Sequence, residues 1–155
     1  MSHYDSVIAQ FRKPVAIAVI LLLAGAAFSA NLRPATQRIE IGNEVYEVEL
    51  AITPEERGRG LMYRQSIDPR GGMLLVYRNP GNHRIWMKNV PIPLRVYWID
   101  SNAEVIGVQR LEPCRSDPCP VYAVEKPSLY VLELADRDHG LLPGDRIRGL
   151  DSLSP

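Results

Sequence analysis

Arg38-Ile39-Glu40-Ile41-Gly42-Asn43-Glu44-Val45-Tyr46-Glu47-Val48-Glu49-Leu50-Ala51-Ile52 is the stretch on which the fold class turns. Tyr46, Val48, Leu50 and Ile52 alternate with Glu47, Glu49 and Ala51, the period of two that sends one side of a strand into a core and the other into water. Gly42-Asn43 is a turn-forming pair, so the run predicts a β-hairpin. Working outward, Met73–Tyr77, Leu94–Ile99, Glu104–Leu111, Leu129–Leu134 and Arg146–Leu150 read as further strands, each bounded by Gly, Pro, Asn or Asp, with a hairpin turn at Asp100-Ser101-Asn102. Thr53-Pro54-Glu55-Glu56 predicts one short helix: Thr53 caps it, Pro54 suits its first position and Glu56 closes a capping box, with Leu61 and Met62 as its buried residues. Many short strands with one helix predict a mainly β domain, a small antiparallel sandwich or barrel, because a parallel sheet needs a helix after nearly every strand. The thirteen prolines and eleven glycines point the same way, since both residues interrupt helices.

The N-terminal part has another character. From Pro14 to Leu32 no residue is charged, and Val15 to Leu23 is strongly apolar. At the helical rise such a run spans about 28 Å, close to the thickness of a bilayer core. The expected organisation is a cytoplasmic lead (1–13), a transmembrane anchor (14–32), a tether (33–37) and a periplasmic β-rich domain (38–155). The same run, with Arg12-Lys13 before it and Ala24, Gly25, Ala26, Ala27, Ser29 and Ala30 at its end, also describes a cleavable secretory signal. The long polar lead favours the retained anchor. Arg33 and Arg38 nearly balance Arg12 and Lys13, so flanking charge scarcely orients the span.

The side of the membrane is read from the two cysteines. Cys114 and Cys119 lie in Pro113-Cys114-Arg115-Ser116-Asp117-Pro118-Cys119-Pro120, where a disulfide would contribute about 2 kcal/mol and would persist only in an oxidising compartment. Zinc would need more ligands than His3, His83 and His139 supply at any ligand spacing, and a redox pair would have two intervening residues. Free thiols are the remaining alternative. The disulfide reading places the domain in the periplasm, on an inner membrane crossed once. The balance of 18 basic against 18 acidic residues offers no basic stripe for phosphates, so nucleic acid is not an expected partner.

Several segments together resemble one prokaryotic family, the domain of unknown function 192. They are Glu56-Arg57-Gly58-Arg59-Gly60-Leu61-Met62-Tyr63-Arg64, Gly72-Met73-Leu74-Leu75-Val76-Tyr77, Ile85-Trp86-Met87-Lys88-Asn89-Val90-Pro91-Ile92-Pro93-Leu94, Cys119-Pro120-Val121-Tyr122, Tyr130-Val131-Leu132-Glu133-Leu134 and Leu141-Leu142-Pro143-Gly144-Asp145-Arg146-Ile147. The resemblance runs from about Val45 to Arg148 and implies a compact β-rich domain, commonly behind an export signal, with no established activity. Family members usually carry Asp after the Ile-Pro-Leu run, where this chain has Arg95.

The candidate site is a set of polar residues in or beside apolar strands: Arg64, Trp86, Lys88, Asn89 and Glu133. Lys88 and Glu133, if both point inward, would form an ion pair or a polar pocket, because a buried charge without a partner is costly. The alternative is that these residues only fix the fold, with Glu133 taking an arginine partner. His83, in a Gly-Asn turn, and His139, in the charged run Asp136 to Gly140, are expected at the surface. No metal set, cofactor motif, phosphate loop or serine nucleophile signal is legible. The expected function is therefore a non-catalytic accessory subunit, inserted through 14–32 beside an integral membrane complex, respiratory or photosynthetic. The alternative is a periplasmic small-ligand-binding domain or weak enzyme using the cluster around Lys88 and Glu133.

Overall fold

The computed structural model describes residues 34–153. The expected cytoplasmic lead and membrane span therefore lie outside the described residues. Among the described residues no helix is long and apolar enough to cross a membrane.

The hairpin forms as predicted: β1 (Thr36–Ile41) and β2 (Glu44–Ala51) pair antiparallel, and Gly42 takes the left-handed backbone of the turn at φ +58°. Thr36 and Gln37, read as tether, already belong to β1. Ile39, Ile41, Tyr46 and Val48 are buried, as the alternation requires. The alternation then fails at the end of β2, where Ala51 is fully buried and Ile52 is 52% exposed.

The cause is the helical connection that leaves β2. Thr53 caps α1 (Pro54–Arg59), its Oγ1 accepting from the Glu56 amide at 3.2 Å while Glu56 Oε2 accepts from the amides of Thr53 and Ile52, both at 2.8 Å. Those donors hold the Glu56 carboxyl below its ordinary pKa. The helix ends at Gly60, whose φ is +48°. Leu61 is buried just beyond it and Met62 half-buried. This connection turns the chain fully round, so β3 (Gly71–Gly81) runs parallel to β2, Leu50 facing Leu74 and Ala51 facing Leu75 in register. Ala51 packs with Leu61 and Leu75.

The sheet is accordingly mixed, not purely antiparallel as expected. Its other strands are β5 (Leu94–Ile99), β6 (Val105–Leu111) and β8 (Ser128–Ala135), in the order β1-β2-β3-β8-β5-β6, and every pairing except β2 with β3 is antiparallel. A second sheet contains only β4 (Ile85–Trp86) and β7 (Val121–Tyr122), two residues each. Asp100 Oδ1 accepts from the amides of Asn102 and Glu104, fixing the expected turn between β5 and β6. The predicted strand at Arg146–Leu150 is a pair of isolated bridges. Its segment bonds to both sides of the sheet, Ile147 N–H to Ala103 O at 3.0 Å and Glu40 N–H to Arg148 O at 3.0 Å. Gly149 permits that approach, since a Cβ there would lie 2.5 Å from Arg38 O.

The central strands are covered on both faces, which is why they read as continuous apolar runs. One face packs Tyr46, Leu74, Tyr97, Leu132, Leu134 and Ile147 together; the other packs Leu61, Leu75, Ile85, Val96, Trp98 and Val131. Cys114 and Cys119 are joined as a disulfide in the loop between β6 and β7. That pairing closes a loop of a few residues and adds about 2 kcal/mol by restricting the unfolded chain.

Candidate functional site

The site lies on the second of these faces. β8 is buried from Ser128 to Leu134 and carries one carboxyl, that of Glu133, which is 5% exposed. Its neighbours in register are Met73 on β3 and Val96 on β5. Gly72 lets β3 approach at this point, because a Cβ there would sit 2.3 Å from Glu133 O. No hydrogen bond or ion pair to the Glu133 side chain forms among the described residues. Its carboxyl instead faces a pocket of about 250 Å³ beneath the end of α1, where a Cβ built on Gly60 would be 3.6 Å from Oε2. Burial without a partner disfavours the carboxylate and pushes its pKa up to about 7.

The walls of the pocket are apolar and aromatic and its lip is cationic. Leu61, Leu75, Ile85 and Val90 supply the apolar part, with Tyr77 and the half-exposed Trp86 beside them. Three arginines line it: Arg57, Arg59 and Arg84. Arg57 is held by the fold, donating to Val76 O at 2.9 Å and to Ile52 O, with its guanidinium 4.7 Å over the Tyr77 ring. Tyr77 stacks in turn on His83, ring centroids 3.4 Å apart. Burial raises the Tyr77 phenol and lowers the His83 imidazole. Arg59 and Arg84 are exposed, and their guanidinium groups make no hydrogen bond or ion pair among the described residues.

Of the five residues singled out in the sequence, Glu133 and Trp86 share this pocket. Lys88 reaches it only through Trp86, its Nζ 5.3 Å from the centre of that ring. The anticipated Lys88–Glu133 pair does not form: buried Met87 turns its neighbour Lys88 out to solvent. Nor does Glu133 take an arginine. Arg64 lies elsewhere, bonded through both nitrogens to Glu49 at 2.5 and 2.6 Å, which raises its already high pKa. Asn89 serves the backbone, taking φ +57° and donating to the Tyr63 hydroxyl at 2.9 Å. Arg57, Arg59, Arg84 and Tyr77 were missed. The signal available for them was local: two arginines around Gly58 at the end of a helix only six residues long, which cannot carry both away from the sheet beneath it.

Both expectations about surface histidines are corrected. His83 is half-buried against Tyr77, in a loop fixed by the Trp98 indole N–H donating to His83 O at 2.9 Å. His139 is buried on the opposite face, Nδ1 3.0 Å from the Tyr46 hydroxyl and Nε2 2.9 Å from Ala135 O. That hydroxyl also accepts from Arg137 at 2.5 Å and lies 2.8 Å from Glu44 Oε2. Arg95 belongs to the same opposite face: on β5 it precedes Val96, the partner of Glu133, and its nearest charge is Asp136 at 3.7 Å. An aspartate at that position would not have reached the Glu133 pocket. Among the described residues no group of three or more His, Cys, Asp or Glu could hold a metal ion.

Fold and pocket together define a small mixed-β domain with a carboxyl-floored, arginine-lipped cavity on one face. The chain belongs to the domain of unknown function 192 family, described as an uncharacterized ACR, whose family model matches residues 36–149. It is similar to a protein of Sinorhizobium meliloti proposed to be a transcription regulator, with 30% identity, 76% of this chain and 96% of that one covered, and a TM-score of 0.68. A protein of unknown function from Novosphingobium aromaticivorans shares the fold, at 24% identity and a TM-score of 0.62 over 77% of this chain and 88% of that one. No curated protein matches the chain.

Proposed function

We propose that this chain is an exported, membrane-tethered domain that binds a small polar ligand in the pocket above Glu133. The observation that carries the reading is the carboxyl itself: buried, without a partner, and open to a cavity of ligand size. An unpaired buried carboxyl is disfavoured in its charged form, which either a proton or a bound cationic partner relieves, and a pocket opening on such a group is a candidate binding site. The Cys114–Cys119 disulfide supports export, since such bonds are maintained in oxidising compartments. Tethering to the inner membrane rests on the apolar run 14–32. The regulator designation of the Sinorhizobium protein is not carried over, since the balance of 18 basic against 18 acidic residues gives no electrostatic reason to expect nucleic acid.

The test uses the two tryptophans. Trp86 lines the pocket, whereas Trp98 is fully buried with its indole N–H bonded. In a titration with a panel of small polar metabolites, a ligand moves the Trp86 indole resonance and leaves that of Trp98 nearly still. A panel that leaves Trp86 unmoved sinks the reading.

A second reading, the accessory subunit of an integral membrane complex, is favoured by Trp86 and Val121. These are register partners in the small sheet, 44% and 57% exposed, and form an apolar pair at the surface. Migration of gently solubilised protein as a monomer alone rules it out.

A further inference from the structure

The pocket joins two kinds of unmatched charge. At its floor is one carboxyl with no partner; at its lip are Arg59 and Arg84, also without partners among the described residues, beside the fold-bound Arg57. A simple anion would satisfy the guanidinia and leave Glu133 either charged and uncompensated or protonated. A simple amine would satisfy Glu133 but would enter past three guanidinia. A dipolar molecule entering positive end first satisfies both. The rest of the lining is largely apolar, at Leu61, Leu75 and Ile85, and suits an aliphatic side chain. A cavity of about 250 Å³ suits a small molecule.

Resting on the pocket reading above, we infer that the ligand is a small zwitterion with an apolar side chain, its ammonium group against the Glu133 carboxylate and its carboxylate at Arg59 and Arg84. An aliphatic α-amino acid is the simplest such molecule. Because the carboxyl floor is partly protonated before binding, an ammonium drives a proton out, whereas a simple anion draws one in.

Three matched probes separate the possibilities: L-leucine, 4-methylpentanoate, which lacks the amine, and 3-methylbutylamine, which lacks the carboxylate. Each is titrated calorimetrically into the full-length, oxidised chain at pH 7 in buffers of different ionisation heat, with the Trp86 indole resonance followed in parallel. Leucine is expected to bind at least about tenfold tighter than either half-molecule, the size of one charge-assisted hydrogen bond, and to release protons. E133Q removes the preference for leucine over 4-methylpentanoate; the double variant R59Q/R84Q removes the preference for leucine over 3-methylbutylamine. If 4-methylpentanoate binds as tightly as leucine, moves Trp86 and takes up protons, the zwitterion assignment is wrong while the pocket reading stands. If 3-methylbutylamine equals leucine, the role of the arginine lip is wrong in the same limited sense. If none of the three moves Trp86, the zwitterion assignment falls, and the metabolite panel then decides whether the pocket reading falls with it. The three-probe comparison on the unaltered chain does not depend on any variant folding.

Discussion

Replacing Glu133 by Gln should stabilise the empty protein in alkali and leave it almost unchanged in acid. The ordinary pKa of 4.5 describes the unfolded chain, and burial without a partner raises the folded value to about 7. Between these two values the folded state holds a proton that the unfolded state has released, so stability declines as pH rises through the window. Below pH 4.5 both states are protonated and the carboxyl imposes no ionisation penalty. Above the folded value the full penalty applies, about 3 kcal/mol for a rise of this size. Gln has nearly the same shape and no ionisation, so the E133Q variant escapes the penalty. Urea unfolding of both proteins, with the disulfide intact, should give midpoints that nearly coincide at pH 4.5 and separate in favour of E133Q by about 3 kcal/mol at pH 8.5. A separation that does not change with pH, or a variant that is the weaker protein at pH 8.5, would refute the reasoning, since Glu133 would then have a compensating partner. Saturating ligand should narrow the gap.

Other perturbations test the frame around the pocket. The C114S/C119S double variant should lose about 2 kcal/mol, and the unaltered protein should lose the same amount on reduction, measured by urea unfolding with and without dithiothreitol. T53A removes the cap of α1 and should cost about 1 kcal/mol, read from the same unfolding curves; because α1 roofs the pocket, ligand affinity should fall with it. G72A forces a methyl group to within 2.3 Å of Glu133 O and should lower the thermal midpoint severely, by the equivalent of about 3 kcal/mol, whereas G58A, with open space around it, should change stability little.

The strands that alternate or run apolar were legible because burial on one face or both leaves a direct trace in residue type. β5 begins and ends where Leu94 and Ile99 said it would, and the capping box at Thr53 and Glu56 is present as read. The direction of β3 was not legible. Parallel pairing depends on how the helical connection lies over the sheet, and only the exchange of Ala51 for Ile52 as the buried residue betrays it. Strands of two residues, β4 and β7, are too short for any period to register. In the site, Glu133 stood out because a charge interrupts an apolar strand, and Trp86 because of its neighbours. The arginines did not stand out, since Arg57 and Arg59 look like ordinary solvent-facing residues on a helix. The tertiary position of that helix makes them a lip. His139 was misread for a similar reason: a charged local run hid a ring that Tyr46 and the Ala135 carbonyl draw into the core.

The central claim is that the Glu133 carboxyl receives a ligand. The most direct measurement is a high-resolution crystal structure of the full-length chain taken rapidly from its native host, without exhaustive dialysis, beside the same preparation of E133Q. The account predicts a small molecule in the cavity of the unaltered protein, with a donor atom within about 3 Å of the Glu133 carboxyl, and its loss or displacement in E133Q. A cavity holding only water in both proteins, with the Glu133 carboxyl bonded to a side chain of the protein itself, would contradict it.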